Sequence, residues 1–303
     1  MNEFTNRSAA TCGRRIALPV AAVLCLLLVG CATPRTKLPP GTFPVAGALP
    51  VEMYVGQQEI VIDAQQTNAM AAGGGLIGAL IVSAIDNVAG SRDERRMGPI
   101  RDRLVDFDMR TLMQRELEEG LVAAQLAERL EFEAIPETRI ALLGRNELRS
   151  RPKVLSIDAD YALGYDLRSL RVTFDARYGN RTIDGKRDRS KPIRTSRVTH
   201  VVSLPDDHAR MKEDELAGLW AALGTESLKS MLAAGVDDAV AMLAYDLQTN
   251  EAPDTGEKLR FGHGAQAFGS GRVVRDLGDR QWVRTGMELI SMPKGKSIPS
   301  ERE

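Results

Sequence analysis

The chain is poor in the residues that most often carry chemistry: it has three cysteines and three histidines in 303 residues. The cysteines are Cys12, Cys25 and Cys31, and none follows. No intramolecular disulfide or cysteine-based metal site can therefore form beyond position 31. His200, His208 and His263 fall at no zinc-ligand spacing. A Gly-x-Ser-x-Gly elbow is absent too. Aromatic residues make up 5% of the chain and the formal net charge is −1. Neither value suits a nucleic-acid surface, which needs excess positive charge or aromatic stacking platforms.

What the chain does have begins at its N-terminus. Residues 1–15 are polar and end in Arg14 and Arg15; Ile16 to Val29 then carries no charge. A basic start, a short apolar run and small residues at a break point make a signal peptide, expected over 1–30. The run is shorter than the about 20 apolar residues of a membrane span. Arg14-Arg15 lacks the flanking residues of a twin-arginine signal, so ordinary export is the expected route.

The run closes on Leu28-Val29-Gly30-Cys31. These four residues resemble the lipobox of bacterial lipoproteins. The resemblance covers only the first 31 residues. It implies cleavage between Gly30 and Cys31, diacylglycerol on the Cys31 thiol and an acyl chain, such as palmitate, on the new amino group. Several chains together anchor a protein strongly, at about 0.8 kcal/mol per buried methylene. Ala32 stands where an Asp would favour inner-membrane retention, so the resemblance implies the outer membrane with the body in the periplasm. The mature chain resembles uncharacterised envelope lipoproteins of Gram-negative bacteria.

Removing the signal leaves about 270 residues, enough for a sizeable core. Residues 31–50 include Pro34, Pro39, Pro40, Pro44 and Pro50 and read as a lipidated, proline-stiffened tether. An α+β domain is expected over 51–250, a small β module over 251–292 and a disordered tail over 293–303.

Strand and helix periods alternate in blocks. Val51–Asp63 reads as a first strand and Thr138–Leu143 as a short one. Ile157, Ala159, Tyr161, Leu163, Tyr165 and Leu167 alternate with polar residues. So do Leu170, Val172, Phe174, Ala176 and Tyr178, with Arg168-Ser169 as the turn. This hairpin near 154–178 is joined by a strand near 195–204. Helical spacing near 100–127 places Val105, Met109, Leu112, Met113, Leu117 and Leu121 on one face. Two more amphipathic helices, near 213–247, are split at Gly224-Thr225, with Thr225 as an N-cap. Arg272–Met292 reads as a hairpin around Gly278-Asp279 with a further strand from Gly286. The expected class is α+β, an antiparallel sheet packed with amphipathic helices.

The segment 69–90 is rich in Gly and Ala, and no charge appears from Ala64 to Ile85. Gly74 and Gly78 form a small-xxx-small pair that lets helices approach closely. Two uses are open: a helix buried in its own core, or one that packs on a partner helix or dips into a membrane. A second feature is the basic cluster Arg181, Lys186, Arg187, Arg189 and Lys191. It is read either as a solvated loop or as a contact for anionic lipid or an acidic partner.

Weaker motifs carry less. Asp158 and Asp160 share a strand face but are too few for calcium. Asp206-Asp207-His208 reads as a turn. Ser150 and Lys153 have a Ser-x-x-Lys spacing, which works on a helix, and Pro152 lies between them. Gly262-His263-Gly264 mimics a nucleotide loop but no helix follows. No metal or cofactor is expected. The functional expectation is a non-enzymatic envelope component that binds another envelope protein or itself; the alternative is an envelope hydrolase with an unrecognised site.

Overall fold

Two long strands form the centre of the fold, and their alternation explains why. β4 (Ser150–Gly164) and β5 (Ser169–Asp184) pair antiparallel from Leu163↔Leu170 to Ser150↔Thr182. Leu155, Ile157, Tyr161 and Leu163 of β4 and Leu170, Val172, Phe174, Ala176 and Tyr178 of β5 share one buried face. A period of two places all of them on the same side of the pleat. The chain turns through Tyr165–Arg168, where Leu167 adopts φ 54° with its side chain fully buried. Pro152-Lys153 interrupts the pairing as a bulge, with Lys153 at φ 50°.

The computed structural model describes residues 38–39, 42–43, 47–55, 57, 59–63, 94–134, 150–184, 187–188, 190–204, 208, 210–249, 256–263, 267–286, 288–295 and 297–299. All lie in the unit Arg35–Glu303. The other strands are β1 (Ala48–Val55), β2 (Val61–Asp63), β3 (Arg129–Ala134), β6 (Arg187–Asp188) and β7 (Lys191–Ser203). They are followed by β8 (Lys258–His263), β9 (Ala267–Asp276), β10 (Arg280–Thr285), β11 (Glu288–Pro293) and β12 (Ser297–Pro299). The helices are α1 (94–102), α2 (Met109–Ala123), α3 (Glu213–Ala222) and α4 (Thr225–Gln248). No described helix is long and apolar enough to cross a membrane.

Ten strands follow one path, β12-β8-β9-β10-β11-β7-β5-β4-β1-β3; β2 adds to β4 and β6 to β5. The sheet is mixed. β1 lies parallel to both β3 and β4, β2 is parallel to β4, and β11 is parallel to β7. This corrects the expected α+β class with an antiparallel sheet: the fold is dominated by one large mixed sheet. The physical reason is that alternation reports which face a side chain takes, not the direction of its neighbour. Parallel neighbours need long crossovers and so join segments remote in sequence. The strands of 251–292 enter this same sheet through β11 on β7.

Helical spacing near 100–127 contains two helices. A break over 103–108 separates α1 from α2, and Val105 is 79% exposed rather than on the buried face. Asp108 caps α2, accepting from the Thr111 backbone amide at 3.0 Å. Gly224, at φ 79°, separates α3 from α4 and occupies the N-cap position, so Thr225 is the first helical residue. Residues Thr138–Leu143, the segment 69–90 with Gly74 and Gly78, and the N-terminus with Gly30 and Cys31 lie outside the described residues.

Helix α4 covers the centre of the sheet. It buries Leu228, Leu232, Val236, Val240, Leu243 and Leu247, each with about 1.5–3 kcal/mol of apolar stabilisation. Two glycines set how near it comes. A methyl at Gly235 would stand 2.9 Å from Val172 Cγ2 and 3.3 Å from His200 Cδ2. A methyl at Gly120 of α2 would overlap Val240 Cγ1. Val side chains have little rotamer freedom with which to yield.

Gly120→Ala and Gly235→Ala are each expected to destabilise the fold by about 1–2 kcal/mol in denaturant unfolding, through overpacking. At Gly218 of α3 a methyl meets nothing within 4 Å. There, Gly218→Ala is expected to stabilise by about 0.5–1 kcal/mol. Three equal effects would contradict this packing.

Candidate functional site

Two clusters of interior titratable groups meet where α4 crosses the sheet, and a third lies between β1 and β5. Asp238 and Asp246 lie eight residues apart on α4, which returns them to the same side of the helix. β7 places Arg194, Ser196, Val198 and His200 on one face, buried along its length, while Thr199 and Val201 of the other face are buried too. β10 brings Arg280, Trp282 and Arg284 to the same side.

Asp238 is the hub of the first cluster. Its Oδ2 lies 2.6 Å from His200 Nδ1, and its Oδ1 accepts from Trp282 Nε1 at 2.9 Å. Ser291 also bonds to this carboxylate. Arg280 donates to the carbonyls of Val201 at 2.8 Å and Ser291 at 3.1 Å, with its Nε 3.9 Å from Asp238. Burial alone would raise the Asp238 carboxyl. Hydrogen bonds from His200, Ser291 and Trp282 outweigh it and hold the group below the ordinary carboxylate value. Burial drives His200 below the ordinary imidazole value; Asp238 opposes this and Arg280 adds to it. The contact is thus a hydrogen bond from a neutral imidazole to a carboxylate, not an ion pair.

The second cluster closes the C-terminal end of α4. Asp246 pairs with Arg284 of β10. Arg194 of β7 donates to the carbonyls of Asp246 at 2.6 Å and Thr249 at 2.7 Å. A guanidinium here satisfies terminal carbonyls and complements the negative end of the helix dipole.

The third cluster lies within the sheet. Glu52 of β1 is fully buried and pairs with Arg181 of β5, itself 6% exposed. Tyr54 Oη and Ser156 Oγ each donate to Glu52 Oε2 at 3.3 Å. Burial pushes the Glu52 carboxyl upward and Arg181 only partly offsets it. Nearby Glu133 of β3 pairs with Arg151 of β4. Tyr161 is pushed up to about 12 by burial, so its phenol stays neutral.

Each of these arrangements joins one structural element to another. A nucleophilic serine would have to bond the histidine, whereas Ser291 bonds the aspartate and is fully buried. One open cleft among the described residues lies elsewhere, between α1 and α3. It has a volume of about 430 Å³ and is lined by Arg95, Arg96, Pro99, Asp214, Ala217, Gly218 and Ala221. Arg96 there pairs with Glu213 at 2.7 Å and Asp214 at 2.6 Å. Among the described residues no group of three or more His, Cys, Asp or Glu could hold a metal ion.

The residues singled out from sequence are dispersed. Arg181, read as part of a solvated loop or of a contact for anionic lipid or an acidic partner, is instead buried in β5 against Glu52. Lys191 is exposed at the start of β7. Arg187 lies in β6, and Lys186 and Arg189 fall outside the described residues. Asp158 is half-buried and Asp160 exposed, and both have polar partners. Ser150 and Lys153 sit on a bulged strand, not a helix. The His208 carbonyl accepts from Arg168 at 3.0 Å. Asp238, Asp246 and Glu52 were missed, although a signal existed: Asp246 falls in phase with Leu243 and Leu247 on the apolar face of its helix.

Arg181→Met is expected to cost about 3–5 kcal/mol at neutral pH, because it strands a buried carboxylate. Its stability should then rise as the pH falls, since the raised Glu52 carboxyl takes up a proton more readily folded than unfolded. Glu52→Leu combined with Arg181→Met should recover most of the loss. Urea unfolding across pH checks all three, and a double variant as unstable as Arg181→Met would contradict the pairing.

No protein-family profile matches the chain, and no curated protein or solved structure is significantly similar to it.

Proposed function

We propose that this chain is an envelope lipoprotein, exported by the signal over 1–30 and anchored through lipid on Cys31. Its body serves as a non-enzymatic binding or assembly component. The N-terminal pattern supports the anchor; within the proline-rich stretch 31–50, Leu38, Phe43 and Leu49 pack into the core, so a spacer is confined to residues before Leu38.

The observation that carries the second half is how the acid–base groups are used. His200, Asp238, Asp246 and Glu52 each join one structural element to another, and none lines the cleft between α1 and α3. Groups committed in this way contribute to the integrity of the sheet. What the protein offers to another molecule is then a rigid surface, which suits an envelope protein or a second copy of the chain as partner. By its resemblance, the anchor is in the outer membrane with the body facing the periplasm.

Cys31→Ser tests the anchor. The native chain is expected in the membrane fraction, with a mature mass that begins at an acylated Cys31. The variant is expected to lose both the acyl mass and normal processing. A variant that is still processed and still sediments with membranes sinks the lipoprotein reading. Chemical cross-linking before detergent extraction tests the assembly half. Recovery of the native chain solely as an uncrosslinked monomer would count against it.

A further inference from the structure

Strands β8 to β12 meet the rest of the sheet at one short joint, where Glu288–Ser291 of β11 lies beside Arg197–His200 of β7. The β5/β7 pairing next to it is far longer, running from Ser169↔Ser203 to Asn180↔Lys191. The C-terminal strands also have a small core of their own in Leu259, Val283 and Met292. At the end of the joint, Ser291 is in register with His200. The Asp238 carboxylate ties four elements together there: α4, which carries it, β7 through His200, β10 through Trp282 and β11 through Ser291.

This joint has a specific weakness. With a neutral His200, the charges of Asp238 and Arg280 balance. A proton on the imidazole leaves one extra positive charge in a buried place, with Arg280 Nη2 only 3.4 Å from Nδ1. The groups around the ring are few. Helix α4 presents Asp238 and the bare backbone of Gly235, β5 presents Val172, β10 presents Arg280 and β11 presents Ser291. Asp238 already bonds Nδ1 and is shared with Trp282 and Ser291, so a proton on the ring gains no new acceptor from it. Other ties across the joint, Glu288 to Thr199 and Arg197, Arg280 to the Val201 carbonyl, Arg284 to Asp246 and the Tyr245–Trp282 ring contact, contain no histidine. Between pH 7 and 5, histidine is the side chain whose charge ordinarily changes.

We propose that the His200–Asp238 contact is an acid-operated latch: a proton taken up at His200 opens the β11–β7 joint and frees strands β8–β12. The β1–β7 part of the sheet and its helices stay folded. The sign follows from linkage. Burial lowers the proton affinity of His200 in the closed form below the ordinary value near 6.5. The open form therefore binds the proton better. The closed form is fully favoured above about pH 6.5 and loses ground as the pH falls, by up to about tenfold per pH unit for one proton.

The chain has two tryptophans, so Trp220→Phe leaves Trp282 as the only reporter. Its emission and the far-UV circular dichroism are followed together from pH 8 to pH 5. The expected result is a red shift of Trp282 below pH 6.5 while most of the circular dichroism persists. His200→Gln, which keeps a donor for Asp238 but cannot titrate, is expected to abolish the shift. Hydrogen exchange of the unmodified chain gives a second reading that does not depend on Trp220→Phe folding. After correction for intrinsic rates, protection over 258–293 should fall by up to about tenfold per pH unit, while β4 and β5 stay protected. Simultaneous loss of both optical signals, a shift unchanged by His200→Gln, or unaltered protection over 258–293 would each overturn the latch.

Discussion

The fold depends on helix α4 lying close against the sheet while carrying two carboxylates on its inner side. An apolar helix face would pack there without further help. Asp238 and Asp246 make the packing conditional, because a carboxylate taken out of water must find donors or become protonated. Asp238 finds His200, Trp282 and Ser291, and Asp246 finds Arg284. Those donors come from strands on both sides of the β7–β11 joint. The helix thus reads the relative position of two strand groups that the chain connects only through α3, α4 and the segment after them.

Such polar joints add less stability than their number suggests, since desolvation offsets much of the attraction. Their larger effect is on register. A one-residue slip of β11 on β7 would turn Ser291 away from the helix and leave its row of contacts unmade. The Glu52–Arg181 pair can act the same way at the other end of the sheet, where β1 lies parallel to β3 and β4. The fold then places its acid–base groups where they select one arrangement of strands, which accords with a body that presents a surface.

Sequence reading went furthest where one local rule governs the outcome. The alternation through Ile157–Leu163 and Leu170–Tyr178 shows which side chains share a face, and Gly224 marks the break between α3 and α4. It failed where the outcome is set by partners remote in the chain. Nothing in Val51–Val55 indicates that β1 lies between β3 and β4, or in Leu289–Ser291 that β11 lies beside β7. Val105 fits the helical period, yet the chain breaks at 103–108 and turns it outward. Arg181 looked like part of a basic surface because its partner, Glu52, is remote in sequence. The buried carboxylates of α4 were legible in part, since Asp246 keeps the phase of the leucines around it. Its partner Arg284 was not, because it lies beyond the end of the helix on another strand.

These interior groups hold structural elements together. A double-mutant cycle on Asp246 and Arg284, using Asp246→Asn and Arg284→Met, tests that claim most directly. Unfolding free energies at neutral pH are expected to yield a coupling of about 1–3 kcal/mol. A coupling indistinguishable from zero, with both single variants as stable as the native chain, would contradict it.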